Sequence, residues 1–67
     1  MKTVIRVCDM ITSKDVNNIK SAISNNEGVI ACAIYPEKKE VEIVFDNYFI
    51  TEEDLIASIE DVGYTVV

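Results

Sequence analysis

The chain has no histidine and no tryptophan, and only two glycines, one proline and two cysteines among its 67 residues. Without histidine there is no Ser/His or Cys/His pairing for nucleophilic catalysis. Two isolated glycines leave no glycine-rich loop to cradle a phosphate. Cys8 and Cys32 are too few and too far apart for a disulfide framework. Cations are scarce, six Lys and Arg against twelve Asp and Glu, for a net charge of -6. That balance excludes nucleic acid, whose phosphates demand clustered Lys and Arg.

Long apolar runs are missing as well. Nothing approaches the ~20 residues of a membrane span. The opening "MKTVIRVCDM" does not read as a signal peptide, because Arg6 breaks the apolar run and no small-residue cleavage site follows. The expected setting is the cytoplasm, where both cysteines stay reduced.

What is present suits one small domain over residues 1–67. Half the residues are apolar and charges of both signs are mixed through the chain, a composition that folds rather than staying disordered. A domain of this size buries only about 60% of its unfolded surface, so local devices matter.

Thr3–Cys8 alternates as a strand, with Thr3, Ile5 and Val7 on one face and Val4, Arg6 and Cys8 on the other. Val16, Ile19, Ala22 and Ile23 then recur at helical spacing, and Asn25, Asn26 and Gly28 stop that helix. Val29–Tyr35 is an apolar strand between Gly28 and Pro36. Glu40–Phe45 alternates, with Val41, Ile43 and Phe45 inward. A second helix spans Glu52–Val62, Gly63 ends it, and Tyr64–Val67 forms a last short strand. The order βαββαβ predicts an α+β, ferredoxin-like open-faced sandwich. It has a four-stranded antiparallel sheet in the order 4-1-3-2, with both helices on one face.

The two helices open alike, with "ITSKDV" at residues 11–16 and "ITEEDL" at 50–55. Thr12 and Thr51 read as N-caps. Asp15 and Asp54, at the third helical position, complete an Asp variant of the capping box. Ile11 with Val16, and Ile50 with Leu55, fit the two ends of a hydrophobic staple.

On these residues the chain resembles the heavy-metal-associated domain of copper chaperones and metal-pumping P-type ATPases, over nearly its whole length. That family pattern runs as a strand, Gly-Met-x-Cys-x-x-Cys, and a helix with apolar residues four and eight positions past the second Cys. Here Ile19 and Ile23 stand four and eight positions after Asp15, and Gly28-Val29, Gly63-Tyr64 and "VEIVFD" at 41–46 also match. On that frame "DMITSKDV" occupies the place of the metal loop. Met10 matches the family methionine, Asp9 replaces the glycine, and Thr12 and Asp15 stand where the two cysteine ligands belong.

The resemblance therefore implies the fold, and the substitutions remove the thiolate pair. Hard oxygens such as those of Thr12 and Asp15 hold Cu(I) poorly. The expectation is a non-enzymatic docking module linked to metal trafficking, without a cofactor. Its partner is a protein such as a metal-transporting ATPase domain or a related chaperone. Residues Asp9, Met10, Ile11, Thr12, Ser13, Asp15 and Tyr64 form the loop and interaction site, and Tyr64 covers the loop and the adjoining helix end.

Two alternatives stay open. One is a carrier of Cu(I) or a divalent ion through non-standard ligands among Cys8, Asp9, Met10, Thr12 and Asp15. Against it, alternation sends Cys8 to the open sheet face while Met10 packs inward. The other is a structural, self-associating domain. Its weak homodimer would form through the open sheet face of Val4, Cys8, Ala31, Ala33, Tyr35 and Val44, where Arg6 opposes acids such as Glu42. Cys32 reads as a small inward core residue. No paired carboxylates are set in a cleft for catalysis. An RNA-binding module of this topology would carry basic charge and aromatics on its central strands, where this chain has Val4, Arg6, Cys8, Glu40, Glu42 and Val44.

Overall fold

Period-two alternation in the strands and 3.6-residue spacing in the helices converge on one apolar layer. The computed structural model describes residues 1–67. Its elements are β1 (Lys2–Arg6), α1 (Ser13–Ser24), β2 (Val29–Tyr35), β3 (Glu40–Phe45) and α2 (Glu52–Asp61), with a short 3-10 turn at Pro36–Lys38 between β2 and β3. The sheet is antiparallel in the order β1-β3-β2. Helix α1 packs on β2 and on α2.

One core fills the space between the layers. Ile5, Val7, Val41, Ile43 and Phe45 come from the sheet side, and Ile19, Ile23, Leu55 and Ile59 from the helices. Met10 and Ile50, from the segments that lead into the two helices, complete it. Burying side chains of this kind stabilises by roughly 1.5–3 kcal/mol each, the dominant favourable contribution in so small a domain. Cys32 pairs with Ile43 on the helix-facing side of the sheet and packs against the core half-buried, as alternation predicts.

Three expectations need correction. The sheet has three hydrogen-bonded strands, and the segment Tyr64–Val67 contributes a single antiparallel bridge, Val66 to Val7. Its flanking bonds, Cys8 N–H to Thr65 O at 3.2 Å and Val67 N–H to Arg6 O at 3.0 Å, lay it along the side of β1 away from β3. The ladder is short because the chain turns out of β1 just beyond Cys8, where Asp9 takes up the Thr65 N–H. The staple forms only at α2. Ile50 is buried, whereas Ile11 is 74% exposed and leaves Val16 without it. Lastly, Arg6 lies opposite Glu40 rather than Glu42, and Glu42 instead meets Lys2 at 4.0 Å. An exposed pair of that length contributes little.

Gly28 positions the far end of the molecule. Its φ of +97° lies in the left-handed region, and a Cβ there would come within 2.8 Å of the Phe49 Cβ. Only glycine lets the turn before β2 pass so close to the loop before α2.

Candidate functional site

The β1–α1 loop is held from beneath and from both sides. Met10 is 1% exposed, anchored in the core between β1 and α1, so its thioether faces away from solvent. Cys8 points the other way and is exposed. The two soft atoms of the loop are therefore not brought together. The Lys39 ammonium donates to the Cys8 carbonyl at 3.1 Å, and Asp9 Oδ1 accepts the Thr65 N–H at 2.9 Å.

Thr12 caps α1 in extended conformation. Its hydroxyl accepts the Asp15 N–H at 3.2 Å, and Asp15 Oδ2 accepts the Thr12 N–H at 2.9 Å, closing the capping box. The same arrangement recurs at Thr51 and Asp54, with distances of 3.2 and 3.1 Å. The first copy goes further. Asp15 Oδ2 also accepts the Ile11 N–H at 3.0 Å, and Asp15 Oδ1 accepts the Tyr64 hydroxyl at 2.7 Å. The Asn18 amide in turn donates to the Tyr64 oxygen at 3.2 Å. Asp54 has only its box partner, while Asp15 gathers three donors.

This environment changes the titration of both ends of the contact. The Thr12 backbone N–H, then the Tyr64 hydroxyl and the Ile11 N–H, stabilise the Asp15 carboxylate and lower its pKa from 3.8 to about 2. For Tyr64 the Asn18 donor pulls downward. The bond to Asp15, partial burial and the charges of Asp15 and Asp9 outweigh it, and the phenol is raised above its ordinary 10.0. Burial pushes the Cys32 thiol up, against a smaller opposing pull from Lys20, so it stays protonated and inert.

A metal ion at Thr12 and Asp15 would have to displace these bonds, since both Asp15 oxygens are engaged. No three of the chain's Cys, Asp and Glu side chains converge on one point. The donors are also hard oxygens, and the residues at this end of the fold do not fit a soft ion such as Cu(I).

Ile11 and Ser13 project outward above the loop, Ile11 as a large exposed apolar side chain. Asp9, Met10, Thr12, Asp15 and Tyr64, named from the sequence as loop residues, all lie at this end of the fold, with Met10 turned into the core. Asn18 and Lys39 join them without having been expected. Asn18 lies three residues beyond Asp15, on the same helix face, and that spacing was the available signal. Lys39 had none, because its reach to Cys8 depends on its left-handed backbone, φ 55°, after the 3-10 turn.

No family model and no curated protein matches the chain by sequence. Solved structures do match. A copper-ion-binding candidate from Bacillus anthracis str. Ames is 30% identical, with a TM-score of 0.94 over 100% of this chain and 94% of its own. The CopZ metallochaperone superposes with a TM-score of 0.96 over 100% of both chains at 25% identity. A copper binding domain from HMA7, a P-type ATPase, gives 0.94 over 98% of this chain and 89% of its own at 27% identity. Shared fold over the full length, with the Met10 anchor and the loop-to-helix geometry in place, leads to one assignment: the chain belongs to the heavy-metal-associated domain family and has its copper-chaperone-like fold.

Proposed function

We propose that this domain is a non-enzymatic docking module in metal trafficking, which presents a metallochaperone's shape to a protein partner without carrying the ion itself. The observation that carries this reading is Asp15. At the position where the resemblance expects a cysteine ligand stands a carboxylate whose two oxygens bind three donors of its own chain. With Thr12 as cap, the segment is a helix start, and its charge suits backbone amides and a helix dipole rather than Cu(I).

The partner class follows from the relatives. One is a metallochaperone and another a copper binding domain of a P-type ATPase, so the expected partner is a domain of such a transporter or a chaperone of the same fold. The contact would be the loop surface, where Ile11 stands exposed beside Ser13 and Tyr64. An acidic chain of net charge -6 favours a partner with a basic docking face. No helix is long and apolar enough to cross a membrane. The cytoplasm, where such partners expose their soluble domains, is the proposed setting.

The test is a titration with Cu(I) against a competing chelator, and with Zn(II), on the wild type and on Cys8→Ser. Alongside it, binding is measured to the soluble metal-binding domain of a copper-transporting ATPase. The docking reading expects no stoichiometric metal uptake, and partner binding that weakens in Ile11→Ser. Tight one-to-one uptake of either metal by the wild type would overturn it.

A further inference from the structure

The two edges of the sheet are treated differently. On the β1 edge, Arg6 and Cys8 bond the C-terminal segment. On the β2 edge, no hydrogen bond from outside the β2–β3 ladder reaches residues 30–35, from backbone or from side chain. An open edge is a row of unpaired amides and carbonyls, and proteins usually blunt one with lysine, proline or a bulge. Val29–Tyr35 reads "VIACAIY", without a charge or a proline, and its one irregularity, the bulge between Val29 and Ala31, lies at one end.

Which groups face outward follows from the ladder. In an antiparallel pair, hydrogen-bonded and non-hydrogen-bonded positions alternate. Val7 donates to Lys39 and Phe45 to Met1, so Val41, Ile43 and Phe45 turn their backbone groups toward β1. Glu40, Glu42 and Val44 therefore bond β2, through Tyr35, Ala33 and Ala31. That leaves the N–H and C=O of Cys32 and Ile34 directed to the free edge.

We propose that this edge pairs with β2 of a second copy of the chain, antiparallel, about a two-fold axis through Cys32. The occupant is chosen by the sequence itself. Ile30-Ala31-Cys32-Ala33-Ile34 reads identically in both directions, so a two-fold through Cys32 sets alanine against alanine on both sides of the axis, an isologous contact in which residue i meets j and j meets i. Ile30 lies at the bulge, outside the regular register. Cys32 N–H and C=O meet the same groups of the second copy, forming two bonds. On either side, Ala31 meets Ala33 of the second copy, so the smallest side chains flank the axis. The two sheets join into one of six strands, with the helices of both copies on the same face. The contact is independent of the docking reading, and it leaves the β1–α1 loop free. It is also small beside the area a permanent dimer buries, so association is weak and dynamic. Both copies carry net negative charge, so added salt strengthens it.

Sedimentation and amide hydrogen exchange, from micromolar to millimolar protein, test this. In dilute solution the Cys32 and Ile34 amides exchange quickly while Ala31, Ala33 and Tyr35 are protected by β3. On concentration, a dimer forms and exchange at Cys32 and Ile34 slows tenfold or more. Two double variants read the register. Ala31→Lys with Ala33→Lys opposes like charges twice and weakens association roughly tenfold, whereas Ala31→Glu with Ala33→Lys opposes unlike charges and restores it. Circular dichroism checks that each variant is folded, and the wild-type exchange data decide the matter if one is not. A wild type monomeric at every concentration would overturn the proposal. So would a dimer indifferent to both variants, or one protecting the open face around Val4 and Val44 instead.

Discussion

The Tyr64 hydroxyl donates a 2.7 Å hydrogen bond to Asp15 Oδ1, joining residues 49 positions apart. It ties the segment after α2 to the first turn of α1, at the end of the fold where the family resemblance puts the metal loop. In Tyr64→Phe the Asp15 carboxylate loses its second-largest stabilising contact, and its pKa rises from about 2 toward 3.8. Carboxyl chemical shifts followed through an acid titration check this. An unchanged Asp15 titration would show that the contact is not maintained in solution.

The same carboxylate makes acid stability partly a local property. A group whose pKa is lower folded than unfolded contributes stability that is complete above the unfolded value and disappears as pH falls through the folded one. The Asp15 contribution is therefore full above about pH 4 and is lost toward pH 2. Urea midpoints measured between those limits fall for the wild type, and they fall less steeply in Asp15→Asn. Equal slopes would remove Asp15 from the account.

Replacing Thr12 and Asp15 together by cysteine restores the spacing of a thiolate pair on a backbone that superposes on a metallochaperone. The double variant binds one Cu(I) in chelator competition, and losing the Thr12 cap costs about 1 kcal/mol. A folded double variant without Cu(I) affinity would mean that this loop is wrongly aligned with the family's.

The two helix starts share a pattern but not a burial. Ile50→Ala empties a core position and destabilises by about 2–5 kcal/mol. Ile11→Ala, at a side chain 74% exposed, changes stability by about 0.5 kcal/mol or less. Denaturant unfolding of both variants compares them directly, and similar losses would contradict the open position of Ile11.

Gly28→Ala forces a side chain into a left-handed turn and against Phe49. The expected loss exceeds about 1 kcal/mol, and Phe49→Gly in the same background recovers part of it by removing the Cβ that the new methyl meets. Thermal unfolding of the single and double variants measures this, and a neutral Gly28→Ala would show that the turn relaxes freely.

Much of this was legible beforehand because it is local. Alternation at Val41, Ile43 and Phe45 set the inner face of β3, and the Thr-x-x-Asp spacing announced both capping boxes. What escaped depends on distant or unpatterned geometry. The bulge after Val29 shifts the register of β2, and no residue type there announces it. Arg6 faces Glu40 because of the β1–β3 register, which alternation alone does not determine. The Asn18–Tyr64–Asp15 chain spans residues far apart in sequence. Ile11 looked identical to Ile50 by pattern, but in the loop before α1 it is Met10 that enters the core while Ile11 faces solvent.

The tethering of the β1–α1 loop by Met10, Asp9 and the helix cap has a thermodynamic corollary. A surface that meets its counterpart already in final form surrenders little conformational entropy in the encounter. On the proposed docking reading, recognition then rests on fit, and small changes of contour at Ile11 or Ser13 would redirect the choice of partner.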